Sequence, residues 1–159
     1  MHQLETEFSR NERPRVTVAA IVERDARFLV VEERADNGKL VINQPAGHVE
    51  AGENVIEAAI RETFEETAWH FRPEALVGIY LWRRAAGDAS FLRIGIVGSV
   101  DGHDPDSPLD EGIVSSLWLT REELLSEKMR LRSPLVMKCI DDYLAGERYP
   151  LSVLKSLLS

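Results

Sequence analysis

The sequence predicts a single α/β domain, and three features predict it. Short apolar segments alternate with polar neighbours as strands do, two capping boxes announce helices, and no repeat or low-complexity tract divides the chain. A chain of 159 residues, 44% hydrophobic and 29% charged, is long enough to bury one continuous core and too apolar for wholesale disorder. The domain is expected over residues 14–159. Residues 1–13, polar and mixed in charge, read as a flexible N-terminal arm.

Val16, Val18, Ala20 and Val22 alternate with their neighbours, which predicts a first strand. Phe28 to Val31 form a second apolar run, and the polar stretch between them predicts a hairpin. Asp36-Asn37-Gly38 is a turn signal ahead of a third strand, Leu40 to Ile42. Pro45, Gly47 and Gly52 mark a structured loop from Gln44 to Glu53. A helix follows, with Asn54 as N-cap and Glu57 as its capping-box partner. Ile56, Ala59, Ile60, Thr63 and Phe64 recur at helical spacing and predict its buried face.

Ala75 to Arg84 and Ser90 to Val100 are strand-like and joined around Ala85–Asp88. Asp101 to Asp110 is a long loop, and Ser115 to Leu119 a short strand. Thr120 with Glu123 caps a second helix. Ser133-Pro134 opens a third, which runs to about Ala145 and stops at Gly146.

A formal net charge of −8 argues against a nucleic acid polymer as partner, since an acidic surface repels phosphate backbones and no Lys/Arg block offsets it. One cysteine, Cys139, excludes an intrachain disulfide framework and a Cys-based zinc cluster, and its apolar surroundings read as core. Trp69 and Trp118 are assigned to packing. No apolar run approaches the roughly 18 residues a membrane span needs, and no secretory segment is apparent, so the expected compartment is the cytoplasm.

The informative stretch runs from Gly47 to Trp69. On the predicted helix Glu62, Glu65 and Glu66 fall at i, i+3 and i+4, within roughly a 100° arc opposite Ile60 and Phe64. Like charges at that spacing repel, by a few tenths of a kcal/mol per pair. A cluster facing one way therefore calls for a compensating cation. Mg²⁺, which takes hard oxygen ligands and bridges carboxylates to substrate phosphates, is the expected cofactor, with Mn²⁺ as a substitute. Taken alone, the three glutamates also fit a solvated helix face.

The whole spacing decides between them. Gly47, five residues, Glu53, seven residues, Arg61-Glu62, then Glu65-Glu66 resembles the signature box of the Nudix hydrolases. The resemblance implies the Nudix fold, a mixed β-sheet sandwiched between helices, and metal-dependent hydrolysis of a phosphoanhydride bond. It implies metal binding by Glu62, Glu65 and Glu66 with the backbone carbonyl of Ala46. Arg61 would orient Glu53 or a neighbouring carboxylate by ion pairing, and Glu53 would hold the loop against the helix. Gly47 and Gly52 would let that loop fold tightly. A further carboxylate from a loop outside the box is expected at Glu111, with Asp110 second. Two positions depart from the family pattern: Thr63 stands where an aliphatic residue is usual, and Ala68 where a glycine is.

Outside the box, Arg15-Val-Thr-Val-Ala-Ala20, Phe28–Glu33, Asn43–His48, Leu131–Val136 and Gly146–Leu151 resemble a bacterial subgroup of Nudix phosphatases. That resemblance implies hydroxymethylpyrimidine pyrophosphate, thiamine pyrophosphate and nucleoside di- and triphosphates as substrates, with release of orthophosphate. The alternatives are a MutT-type triphosphate pyrophosphohydrolase releasing pyrophosphate, and a non-catalytic ligand-binding regulator. Retention of all four box glutamates counts against the last. Candidate substrate-binding residues are Gln44 and His48 beside the motif, Trp82 and Arg83 on one strand, Arg93 on the next, and Arg132 before the third helix. The expected partner is a small phosphorylated molecule, with no membrane, and the protein a monomer or homodimer.

Overall fold

The computed structural model describes residues 13–158, so the arm predicted over 1–13 lies, save for Arg13, outside the described residues. Eight strands form two sheets. In the mixed sheet the order is β5 (Ala46–His48), β1 (Arg15–Ile21), β7 (Phe91–Asp101), β6 (His70–Trp82). β1 and β7 run parallel and the other neighbours antiparallel. The second sheet is antiparallel and centred on β3 (Arg27–Arg34), which pairs with β2 (Glu23–Arg24), β4 (Leu40–Asn43) and β8 (Ile113–Thr120).

Three α-helices complete the fold: α1 (Val55–Thr67), α2 (Arg121–Ser126) and α3 (Leu135–Leu144). Alternation along β1 decides what covers each face. Val18 and Ala20 point into a core shared with Ala58 and Ala59 of α1, whereas Ile21 packs with Cys139 and Ile140 of α3. The mixed sheet thus lies between α1 and α3, as the predicted fold class requires. Cys139 is free and buried, and Trp69 and Trp118 pack edge-to-face against the first core.

The predicted β1–β3 hairpin does not form. The chain leaves the mixed sheet after Ile21, and the tight hairpin is β2–β3, turned by Asp25 and Ala26 at φ 52° and 61°. Two successive left-handed residues match the strand twist of a two-residue hairpin. β6 starts earlier than predicted, because its register slips around Pro73 rather than breaking there, and it ends at Trp82, before the predicted Arg84. Part of the motif loop, Ala46–His48, is an edge strand on β1.

Both capping boxes are present: Asn54 with Glu57, and Thr120 with Glu123. The buried face of α1 differs from the prediction, consisting of Ala58, Ala59, Thr63, Glu66 and Thr67, while Ile60 is 37% exposed. Small residues there let the helix approach the sheet closely, and that turns Glu66 inward.

Candidate active site

The site begins with how α1 is held. Arg61 grips Glu53 with two hydrogen bonds, Nε to Oε2 at 2.6 Å and Nη2 to Oε1 at 2.9 Å. Its Nη1 donates to Glu62 at 2.8 Å and Glu65 at 3.0 Å, and Nη2 to the His48 carbonyl at 3.1 Å. One guanidinium therefore ties the motif loop to the helix and neutralises part of the carboxylate cluster. Arg61 lowers the Glu53 carboxyl below its ordinary value, and Glu53 in turn raises Arg61. Glu53 also accepts the Glu50 N–H, which closes the turn through Gly52.

Glu62, Glu65 and Asp110 bring carboxylate oxygens within 4.8 Å of one another. Asp110 comes from the loop before β8, fixed because its N–H donates to the Glu65 carbonyl at 2.9 Å. The neighbouring Glu111, the first expectation for this fourth acid, is exposed and stands outside the cluster. Glu66 is 6% exposed and accepts the Ala46 N–H at 2.9 Å, so Ala46 lies beside the cluster on β5. Burial pushes the Glu66 carboxyl up to about 9 despite that hydrogen bond, with the charges of Glu33, Glu62 and Asp110 adding to the rise. Burial also raises Glu62, against the pull of Arg61. Closely spaced, hard carboxylate oxygens beside a buried glutamate whose carboxyl is raised by burial fit a divalent cation.

Gly47 makes this approach possible. A Cβ there would lie 2.2 Å from the Glu62 carboxyl carbon, so any side chain at this position would displace the carboxylate. The two departures from the family pattern are locally accommodated. Thr63 is fully buried and returns its hydroxyl to the Ala59 carbonyl at 2.7 Å. Ala68 takes the left-handed cap itself, at φ 61°, with its N–H on the Phe64 carbonyl at 2.8 Å. That conformation costs alanine about 1 kcal/mol.

Beside the cluster opens a cleft of about 650 Å³, lined by Ala46 and Gly47 but by none of Glu62, Glu65, Glu66 and Asp110. His48, Trp82, Arg93 and Arg132 line it; Gln44 and Arg83 do not. Gln44 is buried beneath, bonded to Arg93 and to the Val136 carbonyl. Arg83 follows the end of β6, and Arg84 takes the lining position instead. Burial lowers the His48 imidazole, with Arg15 and Arg132 adding to the shift, so it stands neutral near pH 7. Sequence reasoning missed Arg15, Glu33, Arg84 and Phe91 as lining residues. Strand alternation was the available signal for Arg15 and Phe91, since each lies two residues from another lining position, Thr17 and Arg93.

Comparison with known proteins gives a consistent result. The model of the NUDIX domain matches residues 13–138. Phosphatase NudJ from Escherichia coli K12 is 42% identical over 142 residues, covering 89% of this chain and 91% of the relative. The Shigella flexneri protein of the same name matches equally. Among solved structures, a NUDIX hydrolase from Nitrosomonas europaea shares 46% identity at a TM-score of 0.89, over 91% of this chain and 98% of that one. A MutT NUDIX hydrolase from Burkholderia pseudomallei, 20% identical at a TM-score of 0.64 over 82% and 98%, shares the fold.

Proposed function

The chain belongs to the NUDIX family of pyrophosphate-bond hydrolases, and from that premise we propose that it is a Mg²⁺-dependent phosphatase of small diphosphates and triphosphates. The observation that carries the reading is the meeting of Glu62, Glu65 and Asp110 within 4.8 Å, next to the buried Glu66, whose hydrogen-bond partner Ala46 lines the neighbouring cleft. Glu62, Glu65, Glu66 and Asp110, with Ala46, would hold the metal, and Mn²⁺ would substitute. Bound there, a divalent cation neutralises phosphate oxygens and lowers the pKa of water.

The chain's own residues do the rest. Arg61 fixes Glu62 and Glu65 and, through Glu53, the loop that carries Gly47. Glu65 is the more open of the paired glutamates, with Oε2 engaged by Arg61, and its Oε1 accepts the proton of the attacking water. Arg132 and His48 at the cleft wall orient the substrate's phosphates.

Hydroxymethylpyrimidine pyrophosphate, thiamine pyrophosphate and nucleoside di- and triphosphates are the substrates we assign, with orthophosphate released. The support is the resemblance to phosphatases outside the box and the phosphatase relatives. A cytoplasmic location and a monomeric or homodimeric state belong to the same proposal; among the described residues no helix is long and apolar enough to cross a membrane.

The test is a product assay over that panel with ADP-ribose added, quantifying orthophosphate and pyrophosphate separately, for wild type and Glu65→Gln. Orthophosphate that needs Mg²⁺ and falls at least about a hundredfold in the variant is expected. Pyrophosphate as the product, or undiminished turnover in Glu65→Gln, would overturn the reading.

A further inference from the structure

Arg93 is a buried cation without a counter-ion. It stands on β7 in the middle of the mixed sheet, between Thr17 of β1 and Tyr80 of β6, and is 6% exposed. Its Nη1 donates to Gln44 Oε1 at 2.8 Å and its Nη2 to Asn43 Oδ1 at 3.0 Å. Nε is buried with no hydrogen-bond partner. Among the described residues no carboxylate lies within 4.0 Å of it, whereas Arg132 pairs with Glu33 at 2.9 Å and Arg84 with Asp88 at 3.4 Å. Arg15, Arg24, Arg34 and Arg148 also stand without a carboxylate among the described residues, but they are exposed to water, whereas Arg93 is buried.

A guanidinium keeps its proton at any ordinary pH, so burial cannot neutralise it. Holding it without a carboxylate is unfavourable, and two neutral amides offset that only in part. Those amides are themselves oriented: Gln44 Nε2 is committed to the Val136 carbonyl at 2.7 Å, which turns Oε1 toward Arg93. The cation is held in place by the two amides beside the buried Cys139 thiol, with no carboxylate within 4.0 Å among the described residues, on the wall of the cleft.

The sheet register shows what surrounds it. Arg15, Phe91 and Trp82 form one cross-strand row, and Thr17, Arg93 and Tyr80 the next, on the same face. Arg15 also lacks a carboxylate partner among the described residues and lies over the Phe91 ring at 5.8 Å. Trp82 and Phe91 are tilted rings with centroids 6.2 Å apart. The inner row offers positive charge and a hydroxyl, and the outer row offers aromatic surface and a second cation.

We infer that Arg93, supported by Arg15, forms an anion subsite separate from the carboxylate cluster, and that this subsite takes the terminal phosphate of the substrate while the organic group lies toward Trp82 and Phe91. The inference rests on the proposed function for the identity of the anion. A phosphate monoester end carries up to two negative charges on oxygens free to meet Arg93. A diphosphate capped at both ends carries one charge per phosphorus and puts a sugar or second base there. The enzyme therefore favours phosphate-terminated substrates over bridged diphosphates.

The first test needs neither metal nor turnover. Thermal melts in EDTA with increasing inorganic phosphate are expected to show saturable stabilisation of wild type. Arg93→Met should weaken it at least about tenfold, and Arg15→Gln severalfold. Absence of stabilisation in wild type, or equal stabilisation in Arg93→Met, would overturn the subsite. Should Arg93→Met fail to fold, the exposed Arg15→Gln decides, and unchanged phosphate affinity there counts against it. The second test is the ratio of kcat/KM for ADP over ADP-ribose with Mg²⁺, expected to fall about tenfold in Arg93→Met through the KM of ADP. An unchanged ratio would remove the terminal-phosphate assignment. Wild type that hydrolyses nothing yet still binds phosphate would instead sink the proposed function and leave the subsite standing.

Discussion

Gly47→Ala adds one methyl group to β5, and the structure fixes where it lands. Its Cβ would sit 2.2 Å from the carboxyl carbon of Glu62 and 2.3 and 2.4 Å from the two oxygens. Ordinary contact begins near 3.4 Å, so the carboxylate must retreat by about 1 Å. Glu62 cannot do so freely, because Arg61 holds it at 2.8 Å and is itself clamped to Glu53. Either that hydrogen bond breaks or the whole ion-paired group shifts, which changes its spacing to Asp110. Loss of one charge-assisted bond at a partly exposed site costs about 1–2 kcal/mol, which lowers Tm by about 2–8 °C in a chain of this size.

The effect on rate is larger, since about 1 Å of misplacement in a reacting constellation costs about a hundredfold. Orthophosphate release at saturating Mg²⁺ should therefore fall by about that factor while the protein remains folded. Gly52→Ala is the matched control. Gly52 sits at φ 80°, and a Cβ there meets nothing within 4 Å. Its cost is conformational, about 1 kcal/mol, and turnover should stay within about threefold of wild type. A Gly47→Ala enzyme with near-normal turnover, or a Gly52→Ala enzyme equally impaired, would refute the steric argument.

Arg61→Met removes the cation shared by Glu53, Glu62 and Glu65; melts in EDTA should show a loss of about 2 kcal/mol after solvent screening, and Mg²⁺ should restore more stability to the variant than to wild type. Thr63→Val deletes a buried hydroxyl whose only bond is to a carbonyl of its own helix, so urea unfolding and turnover should both stay close to wild type, within about 1 kcal/mol. For Glu66 the folded carboxyl is raised, to about 9, so its contribution to the stability of the metal-free protein is full below the ordinary glutamate range and is lost as pH rises toward 9. Glu66→Gln should abolish most of that slope in EDTA melts. Mg²⁺ binding near pH 7 should release a proton, seen as a dependence of calorimetric heat on buffer ionisation enthalpy.

The parts legible in the sequence were local. Capping boxes need only four consecutive residues, so both helix starts were readable, and the box spacing picked out the glutamates because i, i+3 and i+4 share a helix face whatever the tertiary fold. The buried face of α1 was misplaced because Ile60 and Phe64 outrank Ala58 and Thr67 in hydrophobicity; close approach to the sheet selects small residues instead. Strand pairing was beyond the pattern. Apolar alternation gives a strand its two faces but not its neighbours, so β1 and β3 read as a hairpin although β1 pairs with β5 and β7.

The same limit explains the acid from outside the box. Asp110 and Glu111 are adjacent carboxylates in one loop, and sequence alone gives no reason to prefer the shorter side chain. The preference comes from a backbone bond between Asp110 and Glu65, two residues far apart in the chain, which fastens this loop to the C-terminal half of α1. Once the backbone is that close, a short carboxylate reaches Glu62 and Glu65 with few rotatable bonds to immobilise. Exchanging the two, as Asp110→Asn against Glu111→Gln, should therefore separate them: Mg²⁺ affinity falls at least about tenfold in the first and holds in the second. Equal losses would place both acids at the metal and undo the argument from the backbone bond.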